Sequence, residues 1–128
     1  MTYYLGKTPT LGFDEAIARV TDALKREGFG IITEIDVTAT LKNKINVEFR
    51  PYRILGACSP ALAYEALQLE DKVGTMLPCN VIVQELAPGR VEVAAVDPVA
   101  SMMAIDNPDL HAKAAIVRAK LKQAIDSL

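Results

Sequence analysis

The sequence predicts an α+β domain, a mixed and mostly antiparallel sheet of about five strands with helices packed on one face. Two observations carry that expectation. Segments with period-2 and period-3.6 apolar spacing alternate along the chain, and a hairpin signal lies in the second half. No linker, repeat or charge block divides the 128 residues, so residues 1–128 read as a single domain.

Residues 3–7 form a short first strand. Phe13, Ile17, Val20 and Leu24 then recur at helical spacing, with Asp14 and Glu15 in the first turn and Lys25, Arg26 and Gly28 closing the helix. Phe29, Ile31, Ile35 and Val37 fall on odd positions with Thr33 among them, while Glu34 and Asp36 fall on even ones. That alternation is a strand with one buried face. Leu41 and Ile45, one turn apart, predict a short helix over residues 38–46, capped by Asp36 or Thr38 and ended by Arg50-Pro51-Tyr52.

Residues 53–58 read as a buried strand. Ser59 as N-cap and Pro60 at the first helical position start a helix over residues 60–70. After the loop 71–78, strands 79–86 and 91–96 are joined through Ala87-Pro88-Gly89-Arg90, and Asp97-Pro98 stops the second of them. Pairing Leu86 with Val91 brings Gln84 to Val93, Ile82 to Ala95 and Asn80 to Asp97. Asn107-Pro108 opens the last helix, on which Leu110, Ala114, Val117, Leu121, Ala124 and Leu128 make an apolar stripe. An edge strand left open is a place for dimerisation.

Composition narrows the function classes. Lys and Arg number 14 against 16 acidic residues, a net charge of -2, which gives no electrostatic footprint for nucleic acid. Every apolar run is interrupted well short of the roughly 20 residues of a membrane span, and the start MTYYLGK has no signal-peptide core. The chain is expected to be soluble and cytoplasmic, with neither nucleic acid nor membrane as partner. GxGxxG, P-loop, GxSxG and HExxH motifs are absent, so the standard nucleotide-dependent, serine-hydrolase and zincin chemistries have no support.

The cysteines carry the chemistry that remains. Cys58 and Cys79 lie 21 residues apart and neither sits in a CxxC. Cys58 ends a strand directly before a helix N-terminus, a setting that stabilises a thiolate, and Cys79 opens the hairpin after Pro78. Scattered free cysteines more commonly pack as small hydrophobes. A disulfide between them would stabilise by about 3 kcal/mol in the chain-entropy model, but a cytoplasmic chain has little need of one. Asn80 and Asp97, neighbours in the register above, would offer oxygens to a polar ligand or a hard cation, or would simply cap strand ends.

The single histidine, His111, sits beside Asp109 in the first turn of the last helix, without a metal-ligand spacing. Lys113, Arg118, Lys120 and Lys122 on that helix read as a solvated face. Met102 and Met103, with Val99 and Ile105, make an adaptable apolar patch of the kind that fills core gaps.

The stretches Phe29-Gly30-Ile31 with Thr33-Glu34-Ile35-Asp36-Val37, Pro51-Tyr52 with Ile54-Leu55-Gly56-Ala57-Cys58, Leu77-Pro78-Cys79-Asn80-Val81, and Asp97-Pro98 occur in a familiar order. Together they resemble the bacterial and archaeal family catalogued as domain of unknown function three hundred and two, over nearly the whole chain. The resemblance implies a single α+β domain, often a homodimer, with no agreed catalytic residues. Its shared positions here are Gly56, Cys58, Pro60, Pro78, Cys79, Asn80, Asp97 and Pro98. The family pattern has Asn-Pro after the first cysteine where this chain has Ser59-Pro60; both Asn and Ser cap helices well, so only a ligand role for the amide is put in doubt.

The leading reading is a small binding or accessory module, a homodimer, with its site where Cys58, Ser59, Cys79, Asn80 and Asp97 converge at strand ends. Its ligand is a small molecule or a metal, and no cofactor or metal is specified by any motif. Two alternatives stay open. One is a thiol redox enzyme or sensor with Cys58 as thiolate and Cys79 as resolving partner; the other is a purely structural homodimer whose cysteines pack.

Overall fold

The computed structural model describes residues 2–128. Its elements in chain order are β1 (Tyr4–Lys7), α1 (Phe13–Arg26), β2 (Gly30–Asp36), α2 (Val37–Ile45), β3 (Tyr52–Cys58), α3 (Pro60–Leu69), a 3-10 turn (Val73–Met76), β4 (Cys79–Ala87), β5 (Arg90–Val96), α4 (Pro98–Ser101) and α5 (Pro108–Asp126). The strands form one sheet in the order β1-β5-β4-β3-β2. Every neighbouring pair is antiparallel, so the mixed sheet expected from the alternating elements gives way to an antiparallel one. The reason lies in the connections. The chain leaves β2 at Asp36 and enters β3 at Arg53, which are register partners, and it leaves β3 beside Ala57 and enters β4 at Cys79, again partners. The segments carrying α2 and α3 are therefore excursions that return to the same end of the sheet, and a returning strand is antiparallel.

The long helices α1 and α5 cover one face. Their apolar stripes, Ala16, Val20, Ala23 and Leu24 on α1 and Leu121, Ala124 and Ile125 on α5, close over Leu55, Val81, Val83, Val91, Val93 and Ala95 from the sheet. Alternate strand residues meet the helices, as the pleat requires. A second, smaller cluster of Ala66, Val73, Met102, Leu110 and Ala114 joins α3, the 3-10 turn and the first half of α5. The caps are local. Asp36 accepts from the Ala39 amide to start α2, and Asn107 accepts from the Leu110 amide to start α5.

Two register details differ from the sequence expectation. In β2 a bulge at Ile32 leaves Ile31 opposite Ala57 but Thr33 opposite Gly56. One inserted residue reverses the alternation, so Ile35 pairs with Ile54 on the uncovered face and is 48% exposed, while Glu34 and Asp36 reach Arg53. In the hairpin, Ala87 pairs with Arg90 across a two-residue turn in which Gly89 has φ +77°, and a bulge at Leu86 follows. Gln84 thus meets Glu92 and Ile82 meets Ala94, one residue away from the pairing through a four-residue loop.

Candidate functional site

Ala57 faces Cys79 across β3 and β4, so Cys58 stands one residue further along the neighbouring strand. Above these strand ends lies a cavity of about 330 Å³. Phe29, Ile32, Ala57, Cys58 and Cys79 form its sheet side; Leu62, Ala63, Ala66 and Leu67 of α3 form one wall; Met102, Leu110, Ala114 and Val117 form the other. The lining draws on both core clusters. The cavity is therefore the seam where they fail to close on each other. Small side chains hold it open, since Ala63 and Ala66 present only methyl groups where a helix wall more often carries Leu or Phe.

The thiols differ in setting. Cys58 is half-buried at the strand end, whereas Cys79 is buried. Burial pushes the Cys79 thiol up from 9.0 to about 11, and the nearby Cys58 adds to the rise. At neutral pH Cys79 is therefore a protonated thiol, a weak nucleophile that serves as apolar wall. Ser59 takes the N-cap position of α3 but its hydroxyl makes no capping hydrogen bond, a departure from the expected cap. Among the described residues Lys113 is the one charged residue in the lining, and its Nζ lies 3.1 Å from Glu65 Oε2 of α3.

Of the sequence candidates, Cys58, Ser59 and Cys79 come together in this cavity. Asp97 and Asn80 do not line it. The one-residue register difference separates them, because successive strand residues point to opposite faces. Asp97 is 8% exposed and fully engaged: one oxygen accepts from the Val99 and Ala100 amides, starting α4, and the other accepts from Arg118 Nε at 3.0 Å. Its contribution to the cavity is indirect, since the Pro98 that follows does line it. Asn80 is exposed opposite Gly56 and opens onto a second hollow of about 380 Å³ on the uncovered sheet face. There Arg50 donates to Gln84, which donates to Glu92.

Lys113, Met102 and the alanines of α3 escaped the sequence reading as site residues. Lys113 and Arg118 looked like a solvated face but are paired with Glu65 and Asp97. Met102 had a usable signal as a gap-filling methionine; it is buried at the cavity, whereas Met103 is 51% exposed. Among the described residues no three His, Cys, Asp or Glu side chains gather as a metal site, and no helix is long and apolar enough to cross a membrane.

The comparisons with known proteins agree on one family. The family described as "Domain of unknown function DUF302" matches residues 6–128. A crystal structure of an uncharacterized conserved protein DUF302 from Bacillus stearothermophilus superposes with a TM-score of 0.91 at 28% identity, covering 98% of each chain. No curated protein matches. The resemblance carried by the segments around Gly56-Ala57-Cys58 and Leu77-Pro78-Cys79-Asn80 thus extends through the whole fold, and the chain belongs to the DUF302 family.

Proposed function

We propose that the protein is a small-molecule binding module whose site is the seam cavity between α3 and α5. The observation that supports this best is the cavity itself: about 330 Å³, at the lower end of the roughly 300–1,000 Å³ of ligand pockets, with a predominantly apolar lining and few polar groups. An apolar guest in the cavity would take its apolar lining out of water and add dispersion contacts. The thiol redox alternative draws less support, because a buried Cys79 thiol held near 11 is a poor resolving nucleophile.

The neutral fluorophore 1-aminoanthracene tests the reading. Its emission is expected to rise saturably with the wild-type protein and to lose that rise in Ala63→Phe, which fills the cavity from its half-buried α3 wall, with the far-ultraviolet circular dichroism unchanged. Equal binding by a folded Ala63→Phe variant would place the ligand elsewhere and overturn the proposal.

A further inference from the structure

We infer that the cavity's ligand is an amphipathic monoanion, an apolar body of medium length carrying one carboxylate, with the carboxylate held by Lys113. The inference rests on the cavity being the binding site and adds the class of ligand. Its starting point is the polarity of the lining. Among the described residues, Lys113 is the only charged side chain in the lining and Ser59 the only side-chain hydroxyl, so the lining side chains offer polar groups for one small head.

The charge also has the right sign and the right setting. Lys113 is partly withdrawn from water, with its side chain 35% exposed, and its partner is Glu65, whose side chain is 48% exposed. This pair links α5 to α3 beside the cavity, and Glu65 itself is not part of the lining. A carboxylate arriving from the cavity side can take the place of Glu65 at Nζ. The displaced Glu65 then returns to water at little cost, since an exposed ion pair contributes little. The incoming carboxylate gains a charge-assisted hydrogen bond in a less solvated place while its chain fills the seam. A neutral chain of the same length gains only the burial.

Octanoate and 1-octanol, titrated calorimetrically into the wild-type protein, Lys113→Met and Glu65→Gln, separate these contributions. Wild type is expected to bind octanoate about tenfold more tightly than octanol, the scale of one charged hydrogen bond at a partly exposed site. Lys113→Met abolishes that preference and keeps octanol binding, which also shows that the variant is folded. Glu65→Gln removes the competing carboxylate and tightens octanoate while leaving octanol unchanged. If wild type binds both equally, or Lys113→Met retains the preference, the anion assignment is overturned while the cavity remains a binding site. If wild type binds neither, both the assignment and the proposed function fall.

Discussion

Gly56 shows how closely single residues are fitted at this end of the sheet. A Cβ built on it lies 2.1 Å from Thr33 Oγ1 and 2.8 Å from Pro78 Cγ, so only glycine lets the bulged β2 and the Leu77-Pro78 loop approach β3 here. Gly56→Ala is expected to lose roughly 1–3 kcal/mol in urea denaturation. Adding Thr33→Ala relieves the nearer contact but not the stiff Pro78 ring, so the double variant recovers only part of the loss. Cys79 makes a pH-dependent prediction. Its thiol ionises near 9.0 when unfolded and near 11 when folded, so above pH 9 the unfolded chain releases a proton that the folded chain keeps. Stability is therefore full below pH 9 and falls as the pH rises towards 11, by roughly 2 kcal/mol from this group. Cys79→Ala should flatten the wild-type decline across that window; parallel curves would contradict the assignment. For Asp97, Asp97→Ala removes both the α4 cap and the Arg118 pair and should cost roughly 1–2 kcal/mol, whereas Asp97→Asn keeps the capping oxygen and should cost less.

Of the two helices that wall the cavity, α3 is held more lightly than α5. Of its ten residues only Ala66 is buried, against Ala16, Val20, Ala23 and Leu24 on α1. It is tied at its C-terminal end, where Asn107 Nδ2 donates to the Leu69 carbonyl, and at its middle by Glu65 to Lys113. Amide hydrogens of residues 63–69 are expected to exchange faster than those of α1, and to slow when 1-octanol is added, as followed by mass spectrometry. This element also shows what the sequence made legible. Pro60 at the first helical position marked its start, because a proline acts through its immediate neighbours, and the expected span of residues 60–70 runs one residue past the observed end at Leu69. The strands of β3, β4 and β5 were likewise readable, since burial on one face imposes period 2. The bulges at Ile32 and Leu86 were not. A bulge is decided by the partner strand, and each one moved a residue set, Ile35 to the open face and Asn80 away from Asp97. Cys58 and Cys79 were legible as residues at neighbouring strand ends, where they now line one cavity, because strand ends can be placed from local signals. Lys113 was not, because its role depends on α5 lying across from α3.

At the scale of the whole molecule, the antiparallel order places two core clusters on one side of the sheet, and the space between them is the candidate site. The larger cluster is closed by α1 and α5 and supplies the rigid floor; the smaller one brings the lightly held α3 wall. The proposed binding function requires this cavity to take up a guest without rearranging the sheet, whereas a packing defect in the same place would be filled by a small shift of α3. Methyl resonances of the four methionines distinguish the two most directly, because Met102 lines the cavity while Met103 is exposed one residue away. On titration with 1-octanol, the account predicts that the Met102 methyl shifts saturably while the Met103 methyl stays in place. A Met102 signal that does not move, or that moves only in step with Met103 and without saturation, would contradict it.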